Sequence, residues 1–116
     1  MRMIVAAALA CLCLPLSAFA DPVGRYDIEG TNPGSKETYR GTVAVERTGD
    51  TYRVVWEVGG SRYVGTGIGT KEFIAVSYRS GNNTGLALYG NEGGIWQGIW
   101  TYANGRELGS EKWLPR

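Results

Sequence analysis

No histidine occurs in the 116-residue chain, and its two cysteines, Cys11 and Cys13, both fall within the first twenty residues. The rest of the chain therefore has no means of building a Ser-His-Asp or Cys-His nucleophile, or a zinc set of thiolates and imidazoles. It also has no disulfide framework, so its stability must come from packing alone. Long apolar runs are equally scarce. The one candidate, residues 3–16, is interrupted by Pro15 and falls short of the ~20 apolar residues that span a bilayer as a helix.

That run has the layout of a secretory signal instead. Arg2 supplies an early positive charge, the apolar stretch follows, and Ala18 and Ala20 provide the small residues that signal peptidase requires ahead of Asp21. Ala8-Leu9-Ala10-Cys11 faintly resembles a lipoprotein acceptor, but a cut so early would leave almost no apolar stretch. The expected organisation is a signal peptide over residues 1–20 and one domain over 21–116, secreted or periplasmic. Losing Arg2 with the signal leaves eleven basic against eleven acidic residues. That balance provides no electrostatic footprint for nucleic acid or for an anionic membrane after signal removal.

What is abundant is glycine and the β-forming residues. All 18 glycines lie after residue 20, punctuating short runs rich in Val, Ile, Thr, Tyr and Trp. This pattern predicts strands near 23–29, 38–48, 51–58, 61–68, 71–79, 84–90, 95–103 and 106–113, every connection but the first being a tight turn. Gly49-Asp50 and Gly59-Gly60 are two-residue hairpin loops, which fix the register. Counting outward sets Glu46 opposite Arg53 and Glu57 opposite Arg62 on one face. Val45 then meets Val54, and Trp56 meets both Val43 and Tyr63, on the other. Both turns give the same partition of charged from apolar groups, and a slip of one residue would reverse it. Gly41, Gly65 and Gly67 share the aromatic face, as in a small barrel whose interior alternates large and small groups. Through Asn104-Gly105 the last hairpin pairs Trp96 with Trp113 and Trp100 with Gly109, with Gly98 between the tryptophans. The expected fold is all-β, an eight-stranded antiparallel up-and-down barrel in which the last strand closes on the first and removes the edges. An open meander or a two-sheet sandwich is the alternative.

Only carboxylates remain as acid and base. Asp27, Glu29, Glu46, Glu57 and Glu72 are candidates for a hydrolytic pair, but Glu46 and Glu57 already face arginines on the outer side. Gly65-Thr66-Gly67-Ile68-Gly69 superficially resembles a phosphate loop and lacks the following helix such a loop needs. The expectation is a non-enzymatic protein without cofactor or metal.

Two features point to binding. Trp56, Tyr63, Tyr78, Tyr89, Trp96, Trp100 and Trp113 concentrate in strands three to eight, either as core or as the wall of a pocket for a small apolar ligand. Tyr63, Tyr89, Trp96, Trp100 and Trp113 are the candidate ligand residues, and Glu111 falls on the same face as Trp96, Gly98 and Trp113. On the opposite face Val55, Val64, Ile68, Leu86, Leu88, Ile95, Ile99 and Leu108 point outward, leaving an apolar surface of a kind that monomers rarely expose, so that either the register changes after the loop at 80–84 or something covers this surface. Leu86, Leu88, Ile95, Ile99 and Leu108 are the candidate contacts for a protein partner or for self-association.

The strings Ile28-Glu29-Gly30-Thr31-Asn32-Pro33-Gly34, Glu46-Arg47-Thr48-Gly49-Asp50-Thr51-Tyr52-Arg53-Val54, Ala75-Val76-Ser77-Tyr78-Arg79-Ser80-Gly81-Asn82 and Trp100-Thr101-Tyr102-Ala103-Asn104-Gly105 resemble a family of small secreted alphaproteobacterial proteins labelled fibronectin-binding. The resemblance covers nearly all of residues 21–116 and implies an extracellular-matrix partner. It implies no functional residues. Gly24-Arg25-Tyr26 and Lys112-Trp113 are more loosely similar to the ends of lipocalin-like and avidin-like (calycin-like) barrels, with Tyr26 in place of the usual tryptophan. The leading expectation is thus a secreted binding module that engages a macromolecular partner. Small-ligand binding inside the barrel is the alternative, and inhibition of an extracellular hydrolase through the loops at 31–37 or 80–84 is the third.

Overall fold

The computed structural model describes residues 21–116. The signal peptide expected over residues 1–20 and both cysteines lie outside the described residues. The strands are β1 (Gly24–Thr31), β2 (Thr38–Thr48), β3 (Thr51–Val58), β4 (Ser61–Gly69), β5 (Phe73–Ser80), β6 (Asn83–Glu92), β7 (Ile95–Tyr102) and β8 (Gly109–Pro115). They follow one another in a closed antiparallel barrel, and β1 pairs with β8 from Tyr26↔Pro115 to Thr31↔Ser110.

The hairpin registers are those the glycine turns predict. Thr48 faces Thr51, Val45 faces Val54, and Val43 faces Trp56 across β2 and β3. Trp56 faces Tyr63 and Glu57 faces Arg62 across β3 and β4. Gly59 and Gly60 take φ of 56° and 82°, a left-handed backbone that a side chain would resist. Trp96 faces Trp113 and Trp100 faces Gly109 across β7 and β8.

The last connection differs from the tight turn expected at Asn104-Gly105. Asn104 adopts a left-handed φ of 63°, the Gly105 amide donates to the Tyr102 carbonyl at 2.8 Å, and the Thr101 hydroxyl donates to the Glu107 carbonyl at 2.8 Å. These local bonds replace the ladder, so pairing stops at Gly109 and residues 103–108 form a loop. Residues 71 and 72, expected in β5, belong instead to the turn ahead of Phe73.

Alternate residues of each strand fill the interior with Tyr26, Ile28, Val43, Val45, Tyr52, Val54, Trp56, Ile74, Val76, Tyr78, Ala87, Tyr89, Trp96 and Trp113. The faces are therefore assigned as the register predicts, with aromatic groups inside. Outside, Val64, Ile68, Leu86, Leu88 and Ile99 are exposed, while Val55 is buried beside its cross-strand neighbours Ala44 and Val64, and Ile95 is half-buried.

The two ends of the barrel differ. At the end bearing the turns at 49–50, 70–72 and 93–94, Tyr26, Tyr52, Ile74, Trp96 and Trp113 are packed with almost no exposure. Buried Pro22 covers this end, its carbonyl accepting the Tyr26 hydroxyl at 2.7 Å. Arg47 reinforces the closure by donating to the Tyr52 hydroxyl at 2.8 Å, stacking over the Tyr52 ring at 4.7 Å and approaching Asp21 at 3.9 Å. The opposite end carries the two longer loops, 32–37 and 103–108, which meet where Gly34 packs against the Glu107 carboxylate.

Candidate ligand site

At the second end the barrel opens into a cavity of about 390 Å³. Its wall is aromatic: Tyr39, Trp56, Tyr63, Tyr78, Tyr89, Trp100 and Tyr102, completed by Val58, Ala87, Asn32 and Asn83. Adjacent rings stand edge to face, with centroids 5.7 Å apart for Trp56 and Tyr78, 6.1 Å for Tyr63 and Tyr78, 6.4 Å for Tyr78 and Trp100, and 5.2 Å for Trp100 and Tyr102. This is the preferred geometry of aromatic pairs, so the rings brace one another as a wall rather than collapsing into the space.

At the base of the cavity lies Glu111, only 6% exposed and the one buried charged side chain among the described residues. Four donors converge on it. Tyr39 donates to Oε1 at 2.5 Å; Trp56 Nε1 at 2.7 Å, Tyr89 at 2.8 Å and Trp113 Nε1 at 2.8 Å donate to Oε2. A carboxylate offers about four lone-pair sites, two on each oxygen; three donors crowd Oε2, while Oε1 accepts Tyr39 alone and keeps one site open. All four are neutral. They satisfy the oxygens without cancelling the charge, and among the described residues no arginine or lysine pairs with Glu111.

The arrangement follows from a five-residue row across the inner face. Tyr39 pairs with Gly30, Gly30 with Glu111, Glu111 with Gly98, and Gly98 with Tyr89. Each glycine leaves room for its neighbouring tyrosine to lean across one strand. A Cβ at Gly30 would enter the Tyr39 ring, and a Cβ at Gly98 would meet the Tyr89 ring as well as the Leu88 carbonyl. Two glycines thus bring two phenols onto one carboxylate. The same device places Tyr78 over Gly85 and Trp100 over Gly109, shaping the cavity wall.

The tyrosines respond to this environment. Burial first, and then the Glu111 charge, hold the Tyr39 and Tyr89 phenols well above their ordinary range. Tyr78 is pushed up to about 12, by burial first, with Tyr102, Tyr63 and Glu111 adding to it. Tyr39, Tyr78 and Tyr89 therefore keep their phenolic protons at any physiological pH.

The five aromatic residues expected at a ligand site divide between the two ends. Tyr63, Tyr89 and Trp100 line the cavity, while Trp96 and Trp113 are fully buried in the packed end, Trp113 reaching the site only through its bond to Glu111. Tyr39 and Tyr102 join the wall without having been singled out by sequence. Their strand parity was readable, but not their height along the barrel axis.

The residues expected to meet a partner also divide. Leu86, Leu88 and Ile99 are exposed on the outer face, where Ile68, Ala75, Leu88 and Ile99 form one register row across β4 to β7. Leu108 is exposed within the 103–108 loop rather than on β8. A second depression, about 340 Å³, lies across β1, β2, β7 and β8 and reaches the inward-facing Tyr39 and Glu111 as well as outer-face residues. It is lined by Glu29, Arg40, Gln97 and Lys112, and Arg40 lies 3.8 Å from Glu29 within it. No group of three or more potential metal ligands occurs among the described residues. Comparison with protein-family models and with curated proteins finds no match.

Proposed function

We propose that this protein is a non-enzymatic, extracytoplasmic binding protein that takes a small molecule into the open end of its barrel. The observation that carries this reading is the asymmetry of the interior: one end is packed solid, and the other holds a cavity with an aromatic wall and one buried polar focus. Apolar walls with a few convergent polar groups are the usual make-up of small-molecule sites, and a volume of about 390 Å³ falls within their usual range. The leader-like residues 1–20 support a location outside the cytoplasm. Carboxylate chemistry is disfavoured because Glu111 is buried and tied by four hydrogen bonds within the fold.

Tryptophan fluorescence and calorimetry against a small-molecule library, with wild type beside Trp100→Ala, test the reading. Binding that Trp100→Ala weakens, in a variant that still melts cooperatively, is the expected result. A hit unaffected by Trp100→Ala and by Tyr63→Ala would place binding elsewhere and refute it.

A second reading draws on the exposed row Ile68, Ala75, Leu88 and Ile99: association with a protein, or with another copy, through the outer face. Leu88→Lys should then preserve folding and abolish association in sedimentation. An unchanged sedimentation profile, with and without candidate partners, would count against it.

A further inference from the structure

We infer that the molecule this mouth accepts is an organic cation, a small ammonium or methylated ammonium compound, an inference that rests on reading the mouth as a binding site. The charge of the lining points there. Among the residues around the cavity there is no lysine or arginine, and the single ionisable acid is Glu111 at the base. Its four hydrogen-bond partners are phenols and indoles, so its negative charge is held in place, shielded from water and left without a counter-ion. Lys112, next in the chain, is exposed on the outside of β8, facing Gln97 and Glu29. An anionic ligand would meet this charge with only neutral amide and phenol donors, and no lysine or arginine, to offset it.

The wall suits a cation for a second reason. Aromatic rings carry negative faces, and cages of tyrosine and tryptophan recognise quaternary ammonium groups through that quadrupole. Trp56, Tyr63, Tyr78, Trp100 and Tyr102 surround one volume. The hydrogen bonds to Glu111 matter here too. Because Oε2 is crowded by three donors and Oε1 already accepts Tyr39, only one lone pair of Oε1 is left for a primary amine, and the carboxylate acts mainly as a fixed field behind the rings. That arrangement favours a cation which needs no hydrogen bond. The same field already acts on Tyr39, Tyr78 and Tyr89, where it disfavours a phenolate.

The test compares three probes of similar size on residues 21–116: choline, its uncharged carbon isostere with a tert-butyl group in place of the trimethylammonium, and the anion pivalate. Calorimetry and tryptophan fluorescence should show choline binding about tenfold more tightly than the isostere, within what a cation gains over aromatic rings, and pivalate not at all. Glu111→Gln keeps an acceptor for the indole donors while removing the charge, and should erase most of that preference without weakening the isostere. Since Glu111 also anchors the core, Asn83→Lys is the second variant. It sets an opposing charge at the exposed rim and should weaken choline selectively. Equal binding of choline and the isostere, or a preference that survives both variants, overturns the cation inference and leaves the mouth as a binding site. No binding by any probe overturns the reading of the mouth along with it.

Discussion

The two ends of the barrel are built from the same residue types and do opposite things. At the packed end Trp96 and Trp113, with centroids 6.3 Å apart, and Tyr26 beside Trp113 fill the volume, and Pro22 covers it. At the open end an equal richness of tyrosine and tryptophan surrounds empty space. The difference is not composition but what the rings lean upon. Packed-end rings meet other large side chains and the N-terminal segment, whereas Tyr39, Tyr78 and Trp100 lie back over Gly30, Gly85 and Gly109 toward the wall. Glycine placement, more than aromatic content, decides whether a small barrel is filled or hollow.

The largest expected effect separates the ends directly. Trp113→Ala removes a side chain with no exposure and an indole that donates to Glu111, and should cost about 3 to 5 kcal/mol, enough to unfold much of the population of so small a domain. Trp100→Ala, on a wall already facing a cavity, should cost about 1 to 2 kcal/mol and leave a cooperative thermal melt. Equal losses for the two would mean that the open end contributes to the core as fully as the packed end.

Alkaline titration reaches both ends at once. Tyr26 in the packed end and Tyr78 in the open end are each pushed up to about 12, in both cases by burial first. A phenol whose folded pKa exceeds its unfolded one stabilises the fold fully below the unfolded value of 10.0 and loses that contribution as pH rises through the folded value. Stability should therefore be level through neutral pH and decline between about 10 and 12. Absorbance of the phenolates of Tyr26 and Tyr78 should emerge together with loss of near-ultraviolet dichroism. A full tyrosine titration centred near 10, with the dichroism intact, would show that these phenols are not held by the fold.

A smaller effect tests the glycine device. Gly98→Ala would press a methyl group against the Leu88 carbonyl as well as the Tyr89 ring, while Gly30→Ala would meet only the end of the Tyr39 side chain, which has open space to swing toward. Overpacking costs about 1 to 3 kcal/mol, so Gly98→Ala should fall near the top of that range and Gly30→Ala near the bottom. Chemical denaturation measures both. The reverse order would mean that the Tyr39 bond to Glu111 is worth more than the backbone register beside Tyr89.

Much of this was legible in the sequence because the side-chain period of a strand is two and the hairpin turns are short. Gly49-Asp50 and Gly59-Gly60 set parity and pairing from β2 to β4, and Asn104-Gly105 set the pairing of Trp96 with Trp113 even though the connection there is longer than a tight turn. What parity does not convey is height along the barrel or what lies across it. Trp56 and Glu111 are 55 positions apart and meet through the interior, where no turn count reaches. The row from Tyr39 through Gly30, Glu111 and Gly98 to Tyr89 crosses both the 32–37 loop, whose length hides the β1–β2 register, and the β1–β8 seam, which exists only once the barrel closes. Glu111 was therefore visible as an inward carboxylate but not as the point on which four donors converge.

The smallest expected effect lies on the outer face, where the two ends should be alike. The hairpin turning at the packed end sets Glu46 opposite Arg53, and the one turning at the open end sets Glu57 opposite Arg62. Arg53 Nη1 lies 3.7 Å from Glu46 Oε1, with side chains 45% and 67% exposed, while no ion pair joins Glu57 to Arg62 among the described residues. In water such a contact gains little, because solvent screens the charges and two long side chains lose freedom to hold one geometry. Double-mutant cycles to alanine should give a coupling of about 0 to 1 kcal/mol for Glu46 and Arg53, fading in high salt, and none resolvable for Glu57 and Arg62. The value of these charges to the fold lies in register: placed inward by a one-residue slip, either pair would have to be buried, so they exclude the wrong pairing more than they stabilise the right one. A coupling well above 1 kcal/mol at either site would mean that the outer face is less solvated than its exposure implies, as it would be if a partner or a second copy covered it.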